Sequence, residues 1–186
     1  MRVRGRKGIL ATTAATAGLA LALLAVGCGG GGDEAATTTT VPKEQTLRGT
    51  GYSHAAPAGW TPAATQRGTT ATGPGSQLLS VGVYKLVKVY VERRFDATAA
   101  ELDKVAARLA ADRKGSLTAS ETVTVAGRKA RSYRIAYATG GTDLVQQVTF
   151  VLRGTTEWLL VCRRAATDGD EPCARLLASF RLVPAR

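Results

Sequence analysis

Residues 121–164 read ETVTVAGRKARSYRIAYATGGTDLVQQVTFVLRGTTEWLLVCRR, and the spacing in this stretch decides the fold. Val123 and Val125 alternate with threonines, Ala126-Gly127 supplies a two-residue turn, and Ala130 to Tyr137 returns as a second strand. Gly140-Gly141 turns the chain again. Leu144 to Leu152 and Glu157 to Arg163, with Arg153-Gly154-Thr155 between them, read as two further strands joined in a hairpin. Turns this short leave antiparallel neighbours as the only pairing. Trp158-Leu159-Leu160-Val161-Cys162 has no polar face, as expected of a central strand covered on both sides.

The flanking segments supply the cover. Thr98-Ala99-Ala100-Glu101 has the spacing of a capping box, which predicts a helix starting at Thr98. Leu102, Val105, Ala106 and Leu109 form its apolar stripe, Asp103, Lys104, Arg108 and Asp112 lie off it, and Gly115 stops it. Near the C-terminus Asp170 and Glu171 cap a second helix, Pro172 sits in its first turn, and Cys173, Leu176, Leu177 and Phe180 share one face. Upstream, Leu47 to Ala55 reads as one strand, Pro57-Ala58-Gly59 breaks it, and Trp60-Thr61 begins a short extended piece. Arg67 to Ser76 reads as a Gly/Thr loop, and Leu78 to Arg94 as a valine-rich strand. The expected class is α+β: a central antiparallel sheet flanked by helices.

Cys162 shares a strand face with Trp158 and Leu160, and Cys173 lies on the inner face of the last helix. The two thiols are expected to meet as a structural disulfide in an exported protein. Neither the spacing of a redox pair nor that of a four-ligand zinc site is present.

Export is itself read from the N-terminus. Arg2, Arg4, Arg6 and Lys7 precede an apolar run from Ile9 to Val26, and Leu23-Leu24-Ala25-Val26-Gly27-Cys28 closes it. This order resembles the bacterial lipoprotein signal, although Ala25 stands where leucine is usual. The resemblance implies cleavage after residue 27, acylation of Cys28 with palmitate among the chains, and attachment to the outer face of the cell membrane. The run is interrupted by Thr12, Thr13, Thr16 and Gly18 and falls short of the roughly 20 apolar residues of a spanning helix. The expected organisation is a signal peptide over 1–27, a lipidated cysteine with a Gly/Thr tether over 28–46, and one globular domain over 47–186.

The net charge of +11 falls to +7 once the four basic residues of the leader are removed. Arg128, Lys129, Arg131 and Arg134 are the densest basic group. No aromatic interleaving or nucleic-acid motif accompanies them, and export argues against that partner. An envelope protein, a lipid headgroup or an anionic wall polymer is the expected counter-surface. The absence of asparagine and the abundance of alanine, glycine and arginine mark a GC-rich bacterial genome, not a chemistry.

No catalytic, cofactor-binding or metal-ligating set emerges. His54 is the only histidine and alternates with Tyr52 on a strand, where a structural role is expected. Gly73-Pro74-Gly75-Ser76 lacks the lysine of a phosphate loop, and no pair of carboxylates can be chosen for glycoside chemistry.

Tyr52 to Trp60 with its Pro-x-Gly-Trp, the helix from Thr98, Val125-Ala126-Gly127-Arg128-Lys129-Ala130 leading into the meander, and Leu-Leu-Ala-Ser-Phe-Arg-Leu at 176–182 together resemble the PsbP-like α/β/α domains. The resemblance implies a sandwich architecture, occurrence in actinobacterial-type surface lipoproteins, and binding or accessory roles without a shared catalytic centre. The function expected from all of this is a lipid-anchored extracytoplasmic binding or accessory protein. An envelope enzyme with an unrecognised site and a sensor or scaffold subunit are the competing classes. An apolar cleft between helix and sheet would favour ligand carriage, buried polar groups around His54 catalysis, and an exposed apolar patch a partner.

Overall fold

Alternating side chains and glycine turns organise residues 43–183, the part that the computed structural model describes, into two sheets and two α-helices. The strands are β1 (Glu44–Gly49), β2 (Tyr52–Pro57), β3 (Thr61–Thr65), β4 (Gly68–Thr72), β5 (Leu78–Tyr90), β6 (Ser116–Val125), β7 (Arg128–Thr139), β8 (Thr142–Ala165) and β9 (Arg181–Leu182). The helices are α1 (Phe95–Asp112) and α2 (Glu171–Ser179), and a short 3-10 turn, Glu92–Arg94, precedes α1. The large sheet is antiparallel with order β3-β4-β5-β8-β7-β6, and β1-β2-β9 form a small antiparallel sheet. The expected signal peptide, the lipid-bearing Cys28 and most of the tether lie outside the described residues.

The two faces of the large sheet carry separate cores. On one, Leu102, Ala106 and Ala110 of α1 pack on Tyr133, Ile135, Val148, Phe150 and Leu152. On the other, Cys173, Leu176 and Phe180 join Tyr52 and Ala56 of the small sheet over Leu79, Val81, Trp158, Leu160 and Cys162. Trp158, Leu160 and Cys162 point to the second core while Leu159 packs against the first. That is the two-sided burial expected of this run. Cys162 and Cys173 are bonded, with their Cα atoms 5.4 Å apart.

Several expected boundaries shift, each for a local reason. Leu47 to Ala55 is not one strand: the chain reverses at Thr50-Gly51, with Gly51 at φ 77°, so that Leu47 pairs with His54. Glu44, Gln45 and Thr46, read as tether, are strand, and Gln45 Nε2 donates to the carbonyls of Pro57 and Trp60. Residues 67–76, read as a Gly/Thr loop, contain β4, whose Thr69 and Ala71 are buried; its side chains are small, so periodicity alone conceals it. Leu78 to Arg94 ends as a strand at Tyr90.

Residues 144–163 form no hairpin. Thr142–Ala165 is one 24-residue strand, with Gly154 at φ 56° inside it. Its first half pairs with β7 through Val151 and its second half with β5 from Thr156 to Arg163. The glycine is absorbed as an irregularity in a long strand because each half finds a different neighbour.

At α1 the capping box does not form. The helix begins at Phe95 without a side-chain cap, Thr98 Oγ1 donates to the carbonyl of Arg94 (3.0 Å), and Glu101 pairs with Lys104 (2.8 Å). The buried stripe is Phe95, Leu102, Ala106 and Ala110; Val105 is exposed and Asp103 reaches the sheet. Gly115 follows the helix, but the left-handed residue is Lys114 (φ 52°), and a side chain at Gly115 would collide with the Ala136 carbonyl. Asp170 occupies the N-cap position of α2 without a side-chain cap bond.

Candidate functional site

The end of β5 and the start of α1 frame a cleft. β5 keeps regular register with β8 from Leu78 to Lys85; the register then breaks, and the next pairing is Tyr90 with Gly154. Beyond the break the alternation of an extended chain still holds. Leu86 and Tyr90 turn toward the α1 core, and Val87 and Val89 turn outward. Ala97, Thr98 and Glu101 of α1 form the opposite wall, and Leu102, Leu152 and Glu157 complete the lining. The cavity measures about 330 Å³, at the lower end of the usual range for small-molecule sites.

The electrostatics of this cleft are uneven. Glu157 is half-buried, and burial alone pushes its carboxyl above the ordinary carboxylate range. Tyr90 is pushed up as well, first by burial and then by the negative charge of Glu92. Lys88 and Arg94 stand at the mouth and are exposed. The arrangement is an apolar trough with a single poorly solvated carboxyl, suited to holding an apolar body that offers one hydrogen-bonding group.

His54 lies elsewhere, between the two sheets. Its Nε2 is 3.0 Å from Thr69 Oγ1 and its Nδ1 is 3.2 Å from the Ala55 carbonyl oxygen. A carbonyl only accepts, so Nδ1 carries the proton and the Thr69 hydroxyl donates to Nε2. The Tyr52 phenol, 3.0 Å from Thr69 Oγ1 and 3.2 Å from the Val81 carbonyl oxygen, completes the set, and Phe180 stacks on Tyr52. Tyr52 and His54 are 0% and 1% exposed. Burial therefore lowers the imidazole pKa below its ordinary 6.5, despite the opposing bond to Ala55. Polar groups do surround His54, but they bond one another and are closed to solvent. Their role is to join β2 to β4 and β5.

The densest basic group is dispersed by its partners. Arg131 Nε donates to Asp103 Oδ1 (3.0 Å), which also accepts from the Tyr133 hydroxyl (2.6 Å). These bonds, Tyr133 first, hold the Asp103 carboxyl below its usual range, while burial pushes the Tyr133 phenol far up. Arg128 faces Glu92 at 3.6 Å and Arg134 faces Asp170 at 4.0 Å. The Asp103 bonds tie α1 to β7, a tertiary link that a helical stripe does not disclose because the carboxylate flanks the stripe. Among the described residues no three His, Cys, Asp or Glu side chains gather as a metal site, and no helix is long and apolar enough to cross a membrane.

Neither a protein-family profile nor the sequence of a characterised protein matches this chain. Solved structures do. A Bacteroides thetaiotaomicron VPI-5482 protein superposes with a TM-score of 0.54 at 9% identity over 77% of this chain, which spans half (50%) of that protein's length. The cyanobacterial PsbP protein CyanoP of Synechocystis sp. PCC 6803 superposes with a TM-score of 0.54 at 14% identity, covering 78% of this chain and 95% of CyanoP. LpqN of Mycobacterium tuberculosis, described as involved in cell envelope biogenesis, gives a TM-score of 0.49 at 11% identity over 76% of this chain and 91% of LpqN. The fold is a PsbP-like α/β/α sandwich.

Proposed function

We propose that the chain is a lipid-anchored, extracytoplasmic binding or accessory protein of a bacterial cell envelope, and that its ligand occupies the cleft between β5 and α1. The observation that carries the reading is the cleft itself: about 330 Å³, walled by Leu86, Tyr90, Leu102 and Leu152, with the half-buried Glu157 as its least solvated charge-bearing group. A carboxyl in such surroundings favours a ligand that brings a hydrogen-bond donor or a cation to it. The ligand class is therefore an apolar small molecule with one donor group. Residues 1–28 support the location, through the basic flank, the apolar run and the cysteine that follows Gly27. A diacylglyceryl cysteine with a third chain would hold the domain at the membrane without a spanning helix, since each buried methylene contributes about 0.8 kcal/mol.

A catalytic role for His54 finds no free polar atom beside it. Tyr52, His54 and Thr69 use their polar atoms on one another and on backbone carbonyls, out of reach of a substrate.

Two measurements test the reading. The chain from residue 28, carrying Cys28→Ser, is titrated with the apolar fluorophore N-phenyl-1-naphthylamine. Emission rises to saturation, and Ala97→Trp, which fills the cleft, abolishes the rise while the far-ultraviolet circular dichroism stays unchanged. An identical titration of both proteins contradicts the cleft. The full chain, expressed in a bacterium fed an alkyne analogue of palmitate, becomes labelled in the membrane fraction and loses the label with Cys28→Ser. A soluble, unlabelled product contradicts the anchor.

A further inference from the structure

The end of β5 has a property that a small-molecule cleft does not require. Val87 is fully exposed, at 101%, and Val89 and Val91 are 65% and 36% exposed. The three alternate with Lys88 and Tyr90, so they share one side of the extended chain and point away from the packed body, to which Leu86 and Tyr90 turn. The strand is also bare at this point. Pairing with β4 ends at Gly82, and pairing with β8 lapses between Lys85 and Tyr90. A row of solvated β-branched side chains on an unpaired projection marks a contact surface, since single exposed apolar residues scatter but rows do not.

The charges around the row say what the surface meets. Lys85, Lys88, Arg93 and Arg94 are all exposed. The acids between residues 85 and 96 are Glu92 and Asp96, and Glu92 is matched by Arg128 at 3.6 Å. Lys129, 5.7 Å from the centre of the Phe95 ring, brings a further cation beside the 3-10 turn. The row of valines thus stands where cations exceed acids: beside Lys85, Lys88, Arg93, Arg94 and Lys129, the acids are Asp96, Glu157 of the cleft, Glu92, matched by Arg128, and Glu101, matched by Lys104 at 2.8 Å. That pairing fits an anionic bilayer, where apolar side chains enter the acyl boundary while lysine and arginine hold the phosphates.

We propose that the projecting end of β5 and the following turn form a membrane-docking surface, with Val87, Val89 and Val91 entering the interface of an anionic bilayer and Lys85, Lys88, Arg93 and Arg94 binding its lipid phosphates. The surface acts without acylation at Cys28. Because Val87, Val89 and Val91 also line the cleft, docking brings the mouth of the cleft to the lipid surface.

The test uses the chain from residue 28 with Cys28→Ser, sedimented with phosphatidylcholine vesicles that contain or lack phosphatidylglycerol. The protein binds only the phosphatidylglycerol vesicles, and less as salt rises. Val87→Ser/Val89→Ser lowers the partition coefficient about tenfold. Lys85→Gln/Lys88→Gln lowers it by roughly fivefold per charge. Leu117→Ser, at an exposed leucine on the far edge strand β6, leaves it unchanged. The N-phenyl-1-naphthylamine titration run beside the sedimentation keeps the two readings apart, because loss of vesicle binding with the emission rise retained counts against this surface alone. Failure to bind phosphatidylglycerol vesicles, equal binding to both compositions, or binding indifferent to the valine substitutions would each overturn the proposal. So would valine-dependent dimerisation in sedimentation velocity without vesicle binding, which assigns the row to a second copy of the chain.

Discussion

Nε2 of His54 and the hydroxyl of Thr69, 3.0 Å apart, connect the small sheet to the large one in a setting where neither group meets solvent. Because burial lowers the imidazole pKa below 6.5, the unfolded chain binds more protons than the folded one as the pH falls through that value. Folding stability contributed by His54 is therefore present above pH 6.5 and is lost on acidification below it. One proton changes the slope by at most about 1.4 kcal/mol per pH unit. Glu157 has the opposite sign, since a raised carboxyl pKa stabilises the protonated folded state and that contribution fades as the pH rises. The difference between wild type and His54→Gln isolates the imidazole. Denaturant unfolding at pH 7.5 and pH 5.0 should show wild type losing more stability than the variant; parallel losses would mean that His54 titrates normally.

The close approach of β4 to β5 beneath Tyr52 also fixes a glycine. A methyl group at Gly68 would meet the Val81 carbonyl oxygen and approach the Tyr52 hydroxyl, whereas one at Gly169 has no neighbour within 4 Å. Gly68→Ala is expected to destabilise by about 1–3 kcal/mol through overpacking. Gly169→Ala should stay within about 0.5 kcal/mol of wild type. Chemical denaturation of the two variants checks the contrast, and equal stabilities would contradict the contact.

Thr98 supplies a prediction in the other direction. Its hydroxyl bonds the Arg94 carbonyl from within α1 instead of capping the helix. Thr98→Ala should therefore cost less than about 0.5 kcal/mol, where loss of a true N-cap costs about 1 kcal/mol. A drop of the larger size in thermal unfolding would restore the capping box.

These cases show what the sequence makes legible and what it hides. The sandwich follows from residues that report on themselves. Ala126-Gly127 and Gly140-Gly141 all take positive φ, so both hairpins are visible in two letters each. Trp158 to Cys162 shows a strand covered on both faces because every position is apolar, and the last helix shows Cys173, Leu176 and Phe180 at its buried spacing. What stays hidden depends on partners distant in the chain. Gly154 resembles a hairpin turn until β5 and β7 are known to take different halves of β8. β4 resembles a loop because Thr69 is held by Tyr52 and His54 and not by its own bulk. The cleft was beyond sequence reading altogether, since it arises where the β5 register lapses opposite α1. The valine alternation from 87 to 91 was its only local sign, and it is equally the sign of an ordinary strand.

Ligand carriage in the β5–α1 cleft is tested most directly by purifying the full chain from the membranes of a bacterium that processes lipoproteins, extracting it with organic solvent, and comparing the released molecules by mass spectrometry with those from Ala97→Trp. The cleft predicts an apolar molecule that accompanies the wild-type protein and disappears from the variant. The same extract from both proteins, or none from either at full recovery of folded chain, would contradict it.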